Sequence, residues 1–358
     1  MTKLKEKVDF NGETIYAGLD VHLKSWQVSI YYQQKFIKNF SQPPTPEALH
    51  KYLTENYPSA TYRCAYESGF CGFWIQRELA KKNIDCIVVN AADVPQTDKG
   101  AKNKSDKFDA KRIGESLQAG MLTGIYIPSL TLESDRQLVR CNSRFAGDLT
   151  RAKNRTKSML YMLGIVIPPQ FDNSGWSNLF IKWLKDKIVF DEGSSRLALD
   201  HQLAIVENIR KEKLLVLKGI RKLLAEDRYA ELAKFLRSIP GIGPITAAVL
   251  ITEIGDMGRF KNFEQLNSYI GLCPTHHGSG DKNYDGSMTS RQNKLIRYLL
   301  IEASWVAIRN DPALMKVYNE LKLKMGGKRA IVKIARKLLS RIRYIWINKK
   351  EYEKGIIK

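Results

Sequence analysis

The stretch that decides the fold of the N-terminal region runs from residue 15 to residue 40 and reads IYAGLDVHLKSWQVSIYYQQKFIKNF. Three short segments within it, residues 15–20, 26–31 and 35–40, are rich in β-branched and aromatic residues and are separated by polar turns. Such segments favour β-strands, and their short connections make consecutive strands antiparallel. We therefore predict a three-stranded meander at the start of the chain.

The following part of the chain alternates between helix-like and strand-like segments. Pro46 suits the first turn of a predicted helix at residues 46–56. Two more strands are predicted at residues 61–66 and 85–89, and two more helices at residues 73–82 and 105–119. Strands that alternate with helices are typical of an α/β domain, which we predict for residues 1–130.

The rest of the chain has the pattern of helices. Apolar residues recur at steps of three and four, namely Leu199, Leu203, Val206, Leu217, Ile220 and Leu224. This spacing predicts a long helical hairpin or coiled coil, with breaks at Pro168-Pro169 and at residues 191–195. Because 358 residues suffice for several domains, we predict a helical coiled-coil linker domain at residues 131–235. A mainly helical C-terminal domain is predicted at residues 236–358.

The charge of the chain favours a polyanionic partner. The net charge is +21, and a compact chain this basic is typical of proteins that bind nucleic acid. No apolar run approaches the ~20 residues of a membrane-spanning helix, and the first residues lack the apolar core of a signal peptide. We therefore expect a cytoplasmic protein with no membrane partner. The five cysteines show no zinc-site spacing and are expected to be reduced thiols.

Two basic stripes recur at helical steps. The first contains Arg136, Arg140, Arg144, Arg151 and Arg155, and the second contains Lys328, Arg329, Lys333, Arg336, Lys337 and Arg341. Each stripe alternates with apolar residues, so one helix face is predicted to pack and the other to bind phosphate. A solvated charged face is the alternative, although acidic partners four residues away are largely missing. The stripes suit a duplex backbone or a structured RNA rather than the reading of bases.

Four acidic residues occupy positions where the packing of a core does not require an acid. Asp20 ends the first predicted strand and Glu67 ends the fourth, while Asp106 and Asp109 share one face at the start of a helix. If strands one and four are neighbours, these carboxylates come together and require a cation to offset their repulsion. Hard oxygen ligands of this kind suit Mg²⁺ or Mn²⁺. The alternative is that each acid is a helix cap or a solvated strand end.

Two segments of the C-terminal region have a chemical interpretation. The PGIGP sequence at residues 240–244 resembles a helix-hairpin-helix turn, whose glycines expose backbone N–H groups to a phosphate, but it also suits a tight turn without a ligand. Ser279 lies between two glycines that would let a DNA strand approach its hydroxyl. A serine nucleophile needs a base, a metal or electrostatic help, and a flexible polar turn is the alternative.

These segments resemble one known family. GLDVHLK at residues 18–24, YESG at 66–69 and KSDKFDAKR at 104–112 resemble the RuvC-type, ribonuclease-H-like domain of the DEDD transposases of insertion sequences, the IS110 family. GLCP at residues 271–274, Ser279-Gly280 and the helix after Arg297 resemble the second domain of that family. One departure is visible, because a Thr-Lys-x-Gly-Asn run of the family is TSRQN at residues 289–293 here.

The resemblance implies roles for individual residues. Asp20, Glu67, Asp106 and Asp109 would be the metal-binding tetrad for Mg²⁺ or Mn²⁺, and Ser279 would be the nucleophile. Lys104 and Arg112 would face a phosphate backbone or be solvated, and Arg291 and Arg297 would contact nucleic acid. The basic stripes themselves add five predicted nucleic-acid contacts: Arg140, Arg144, Arg151, Arg155 and Arg336.

The resemblance also implies partners for the chain. They would be donor and target DNA, a structured guide (bridge) RNA that pairs with both, and other copies of the chain in a homo-oligomer, a dimer or tetramer.

Other functions are compatible with the same residues. A RuvC-like Holliday-junction endonuclease would cut DNA by metal-activated hydrolysis without Ser279. A DNA invertase of the same family, or a recombinase that recognises DNA directly, would share every motif. A nucleic-acid-binding protein without activity is disfavoured by the presence of all four acids.

Overall fold

A computed structural model describes residues 9–95, 106–172, 175–279, 282–289 and 291–355, without the side chains of residues 106, 274–279 and 282–287. The chain folds as two compact units, Met1–Ile127 and Pro128–Lys358. The linker domain and the C-terminal domain proposed from the sequence both lie in the second unit. No boundary between compact units falls at residue 235.

The first unit contains a five-stranded mixed sheet in the order β3-β2-β1-β4-β5. Its strands are β1 (Thr14–Val21), β2 (Trp26–Tyr32), β3 (Lys35–Gln42), β4 (Thr61–Glu67) and β5 (Ile84–Val89). β1, β2 and β3 form the predicted antiparallel meander, and β4 and β5 run parallel to β1. The prediction of an α/β N-terminal region is confirmed, including the pairing of the first and fourth strands.

Helices cover both faces of this sheet. They are α1 (Pro46–Asn56), α2 (Trp74–Ala80) and α3 (Asp106–Gln118). Leu49 of α1 and Leu79 of α2 are fully buried in one cluster with Leu19 and Val28. Ile113 of α3 is buried on the opposite face. Apolar alternation along the strands therefore supplies one core to each face.

Helix α3 lies directly against the backbone of β1. A Cβ atom on Gly18 would stand 2.2 Å from both the carbonyl oxygen of Ala110 and the backbone nitrogen of Gly114. The Tyr31 hydroxyl on β2 donates a hydrogen bond of 3.1 Å to the carbonyl oxygen of Lys111. Glycine at position 18 is therefore a requirement of packing, since any side chain would displace the helix.

The second unit begins with a long helical hairpin. Its helices are α4 (Leu130–Met162), α5 (Asn178–Asp186) and α6 (Gly193–Leu224). The break predicted at Pro168-Pro169 lies between α4 and α5, and the break predicted at residues 191–195 overlaps the start of α6. Ser129 caps α4 by accepting a hydrogen bond from the backbone N–H of Leu132. The predicted apolar residues Leu199, Leu203 and Val206 are fully buried and pack in one core with Phe180 of α5.

The remaining elements of the second unit are mostly helical. They are α7 (Asp227–Arg237), α8 (Pro244–Ile254), α9 (Phe263–Ile270), α10 (Lys294–Asn310), α11 (Pro312–Met325) and α12 (Gly327–Asn348). Their core also includes Val139 of α4 and Ile220 of α6, so the near end of the hairpin belongs to it. This shared core is the reason why the two proposed helical domains form one unit.

A β-hairpin interrupts these helices. The C-terminal region was predicted to be mainly helical, and no strand was predicted within it. The hairpin consists of β6 (Pro274–Ser279) and β7 (Lys282–Met288), paired antiparallel. The sequence of β6, PTHHGS, lacks the alternation of apolar and polar residues that signals a strand.

Two further expectations concern cysteines and membranes. The five cysteines are free thiols, as expected. Among the described residues, no helix combines the length and the apolar character that crossing a membrane requires.

Candidate functional site

The carboxyl ends of β1 and β4 carry the first two predicted acids. Gly18 and Ala65 are register partners on these parallel strands, and both face α3. Asp20 and Glu67 lie two residues further along, so strand alternation directs them to that same face. The structure thus places both acids at one edge of the sheet, as the sequence predicts.

Helix α3 brings the third acid to the same place. Arg112 Nη2 donates to Glu67 Oε1 at 3.0 Å and contacts Asp109 Oδ1 at 3.2 Å. The side chains of all three residues are between 21% and 30% exposed. One guanidinium therefore joins an acid of β4 to an acid of α3, and we call Asp20, Glu67, Asp109 and Arg112 the acid centre.

Two members of the predicted tetrad have other surroundings. Asp20 Oδ2 lies 3.2 Å from Nε2 of the exposed His22. Asp106 is the first residue of α3, one turn before Asp109, and its side chain lies outside the described part of the chain. The backbone nevertheless puts residues 106 and 109 on one face of the helix.

The chemistry of the acid centre fits a divalent cation. Carboxylate oxygens on two strands and a helix are the ligands that Mg²⁺ and Mn²⁺ prefer. Among the described side chains, no three acids, histidines or cysteines already stand in a metal-holding arrangement. Arg112 instead supplies the positive charge between Glu67 and Asp109, and its Nε is buried without a hydrogen-bond partner among the described residues. A bound metal would take over the role of this guanidinium.

Arg112 is predicted to face a phosphate backbone, and in this structure its guanidinium is held by two carboxylates of its own unit, so its assignment to nucleic acid stays a prediction. The sequence signal was ambiguous, since an arginine three residues after Asp109 suits an intrahelical ion pair equally well.

Ser279 lies at the tip of the β-hairpin. It is the last residue of β6, and its register partner is Lys282, the first residue of β7. The side chain of Ser279 lies outside the described part of the chain.

Arg297 of α10 binds the two ends of this hairpin. Its Nη1 donates to the carbonyl oxygens of Gly271, at 3.2 Å, and Thr289, at 3.4 Å, one on each side of the hairpin. Gly271 has a φ of +83°, and a Cβ there would stand 2.4 Å from Cβ of Gln292. Arg297, predicted to bind nucleic acid, therefore holds the two ends of the hairpin together in this structure.

Glu253 of α8 connects the long helix α4 with the start of α10, the helix that carries Arg297. This carboxylate is 2% exposed and accepts two hydrogen bonds from Arg140, from Nε at 2.6 Å and from Nη2 at 2.9 Å. Asn293, the N-cap of α10, donates to it at 3.1 Å. The hydrogen bonds with Glu253 raise the pKa of Arg140. Arg140 thus has a structural role that its assignment to a phosphate-binding stripe missed.

A signal for Glu253 was present in the sequence. It is the one acid in PITAAVLITEI, and an acid within so apolar a helix indicates a buried, partnered carboxylate.

Comparison with known proteins matches two parts of the chain to transposase families. Residues 17–164, which contain the acid centre, match the DEDD transposase family of IS110 elements. Residues 233–319, which contain Glu253, Ser279 and Arg297, match the Transposase IS116/IS110/IS902 family. The chain belongs to the IS110 family of DEDD transposases.

Individual relatives of this IS110-family chain carry consistent names. A Sinorhizobium fredii protein named as transposase y4qE is 27% identical over 68% of this chain and 58% of its own length. The transposase for insertion sequence element IS1533 of Leptospira borgpetersenii is 22% identical over 81% of this chain and 84% of its own. The pilin gene-inverting protein of Moraxella bovis is 37% identical over 30% of this chain and 34% of its own. The chain spans less than two thirds of the length of the first of these.

The remaining basic residues of the IS110-family chain divide into paired and exposed side chains. Arg151 pairs with Asp148 and Arg336 with Glu264. Arg144, Arg155 and Arg291 are exposed. Lys104 lies outside the described residues. The assignment of these residues to nucleic acid stays a prediction. Among the described residues, the guanidinium groups of Arg144 and Arg155 have no acidic partner.

In the turn at residues 240–244, the first glycine is required by packing. Gly241 has a φ of +89°, and a Cβ atom there would stand 2.3 Å from the carbonyl oxygen of Ala303 on α10. Gly243 is the N-cap of α8. Of the two interpretations of this turn, the contact with α10 supports a tight interhelical turn at Gly241.

Proposed function

We propose that this chain is the transposase of an insertion sequence, an enzyme that cuts and rejoins DNA. The observation that carries the proposal is the convergence of Asp20, Glu67 and Asp109 at one edge of the sheet. We further infer that the first unit is a RuvC-like, ribonuclease-H-like domain, because three antiparallel strands are followed by two strands parallel to the first. In such a domain the acids act on phosphodiesters.

The acid centre would hold the metal of the reaction. Asp20, Glu67, Asp106 and Asp109 are the residues that would bind Mg²⁺ or Mn²⁺, which supplies polarisation of a phosphodiester and stabilisation of developing negative charge. In this structure Arg112 neutralises Glu67 and Asp109, whose oxygens would have to leave it to hold a metal. The positive charge of Arg112 would then lie next to the site and would suit a contact with a DNA phosphate.

Ser279 is the proposed nucleophile. Its hydroxyl oxygen forms a bond to the phosphorus of a DNA phosphodiester while the bond from phosphorus to the 3′ oxygen breaks. The serine loses its proton and the departing 3′ oxygen gains one, which leaves a phosphoserine link and a free 3′-hydroxyl. A 3′-hydroxyl of another strand end then attacks the phosphoserine, rejoins the DNA and releases the serine.

The proposed partners follow from the basic surface and from the family resemblance. The exposed Arg144 and Arg155 suit a phosphate backbone and offer no arrangement that reads bases. Sequence selection would then come from a structured guide (bridge) RNA that pairs with donor and target DNA. We also propose a homo-oligomer, a dimer or tetramer, in which one protomer supplies the acids and another the serine.

The decisive experiment traps the covalent intermediate. The full chain is incubated with Mg²⁺, copurifying RNA and labelled DNA, then denatured and resolved by size. We expect a protein–DNA adduct that disappears in Ser279→Ala and persists in Ser287→Ala, a matched serine on β7 of the same hairpin. Asp20→Asn and Glu67→Gln should also abolish the adduct. An adduct that survives Ser279→Ala would refute the proposed nucleophile.

A RuvC-like hydrolase, such as a Holliday-junction endonuclease, is the second candidate. It is favoured by one observation, that the acid centre lies within the first unit and does not need the hairpin. Cleavage that survives Ser279→Ala but is lost in Glu67→Gln would establish this candidate. A DNA invertase would form the same adduct, and a substrate with two inverted sites distinguishes inversion from excision.

A further inference from the structure

A strongly basic groove lies between α5 and α6 of the second unit, apart from both predicted basic stripes. It has a volume of about 620 Å³ and is open to solvent. Its charged lining residues are Lys182, Lys185, Glu207, Arg210, Lys211 and Lys218. We call this surface the α5–α6 groove.

Most of the positive charge of the groove is uncompensated. Lys185 Nζ binds both oxygens of Glu207, at 2.8 and 2.9 Å, so the one carboxylate is fully engaged. Arg210 donates to the amide oxygen of Asn178 at 3.3 Å, which is a neutral partner. Within the described ranges of the chain, Lys182, Lys211 and Lys218 form no ion pair. Clustered like charges of this kind are unfavourable unless an anion joins them.

The spacing of the cations suits a repeating anion. Residues 207 to 218 of α6 span about 16 Å at 1.5 Å per residue, and Lys182 of α5 lies across the groove. A nucleic-acid strand carries one phosphate per ~3.4 Å of duplex axis, so about five phosphates match this length. Leu214 and Leu215, which are 61% and 48% exposed, line the same groove. Their apolar surface suits the carbon atoms of the sugars between the phosphates.

The charge of Arg210 in the groove also acts on a lysine of helix α4. The pKa of Lys153 on α4 is lowered by partial burial and by the positive charges of Arg210, Lys213 and Lys157. Arg210 therefore belongs to both surfaces.

We propose that the α5–α6 groove binds the sugar-phosphate backbone of a nucleic-acid duplex, with Lys182, Lys211 and Lys218 as phosphate ligands. The proposal rests on the proposed function only in taking nucleic acid as the partner. The same backbone chemistry can come from structured RNA or from DNA, and the experiment has one arm for each.

The test measures equilibrium binding of the full chain to a 20-base-pair DNA duplex and to an RNA duplex of the same sequence, in EDTA and over a series of salt concentrations. The variant is K182Q/K211Q/K218Q, whose three side chains are exposed. The control K316Q/K322Q/K324Q removes the same charge from exposed positions of α11. Because each phosphate contact contributes about 0.9 to the slope of log affinity against log salt, the groove variant should lose about 3 from that slope. At 0.15 M salt this amounts to about a 100-fold loss of affinity.

Each outcome has a defined meaning. A larger loss on RNA identifies RNA as the occupant, a larger loss on DNA identifies DNA, and equal losses support a groove that accepts either backbone. The proposal is overturned if the groove variant keeps the original slope on both duplexes, or if the control loses as much. It is also overturned if the variant changes only the oligomeric state, which size-exclusion chromatography detects. Because EDTA prevents chemistry, this result is independent of whether the Ser279 adduct forms.

Discussion

Replacing Arg140 by alanine should lower the stability of the second unit, and it should do so even when no nucleic acid is present. The side chain of Glu253 is 2% exposed, and each of its carboxylate oxygens accepts one hydrogen bond from Arg140. Loss of the guanidinium leaves a buried negative charge with weaker compensation. This cost falls on the folded state because the unfolded chain hydrates Glu253 freely.

The magnitude follows from the partners that remain. Breaking a buried ion pair by removing one partner costs about 3–5 kcal/mol. Asn293 still donates to Glu253 at 3.1 Å, and Arg136 Nε stays 4.0 Å away. We therefore expect the lower end of the range, about 3 kcal/mol, which lowers the melting temperature of a unit of this size by about 6–12 °C.

The assay is urea unfolding followed by helical circular dichroism, because the second unit contains most of the helices described here. Arg144→Ala is the matched control, since Arg144 lies one turn further along α4, is exposed and has no acidic partner among the described residues. It should change the free energy of unfolding by less than about 0.5 kcal/mol while weakening binding to DNA. A double-mutant cycle with Glu253→Gln should give a coupling of about 2 kcal/mol.

Two results would refute this reasoning. If Arg140→Ala unfolds at the same urea concentration as the original chain, Glu253 does not depend on it. If Arg140→Ala weakens DNA binding as much as Arg144→Ala and leaves stability unchanged, Arg140 belongs to the phosphate-binding stripe after all.

Three further predictions concern the acid centre and the core. Gly18→Ala should destabilise the first unit by about 3 kcal/mol, because its Cβ would stand 2.2 Å from the carbonyl oxygen of Ala110, and unchanged urea unfolding would contradict this. Arg112→Gln should lower the melting temperature in EDTA and increase the stabilisation by Mg²⁺, so equal Mg²⁺ shifts in variant and original chain would argue against Arg112 as the resident cation. Burial opposes ionisation of Asp311, but hydrogen bonds, chiefly from Tyr352, hold its pKa below the usual value. Asp311 therefore stabilises the fold above about pH 4, and this contribution is lost as the pH falls further. Asp311→Asn should weaken urea resistance at pH 7 more than at pH 3, and a pH-independent difference would contradict the sign.

Much of the first unit could be predicted from the sequence, because its information is local. Residues 15–20 predict β1 to within one residue at each end, and Pro46 marks the start of α1 as observed. The convergence of Asp20 and Glu67 also followed once the first and fourth strands were taken as neighbours. Alternation along a strand and the end of an apolar run are properties that a short window of residues contains.

The features that could not be predicted depend on contacts between distant residues. Arg140 and Glu253 are separated by 113 positions, and no pattern around Arg140 distinguishes it from Arg144 one turn later. Arg297 looks like another basic residue until the carbonyls of Gly271 and Thr289 are seen beside it. The β-hairpin was missed because its strands are polar and glycine-containing, so hydrophobic periodicity gives no signal there.

The contact between Gly18 and α3 has a consequence for how much change the first unit tolerates. Two main chains touch there with no side chain between them, so the separation of Asp109 from the strand that carries Asp20 is set by atoms common to every amino acid. Leu19 and Val28 belong to the core on the opposite face of the sheet, away from this contact. An engineer could therefore redesign that hydrophobic layer for heat resistance and keep the spacing of the carboxylates, provided that positions 18 and 114 stay glycine.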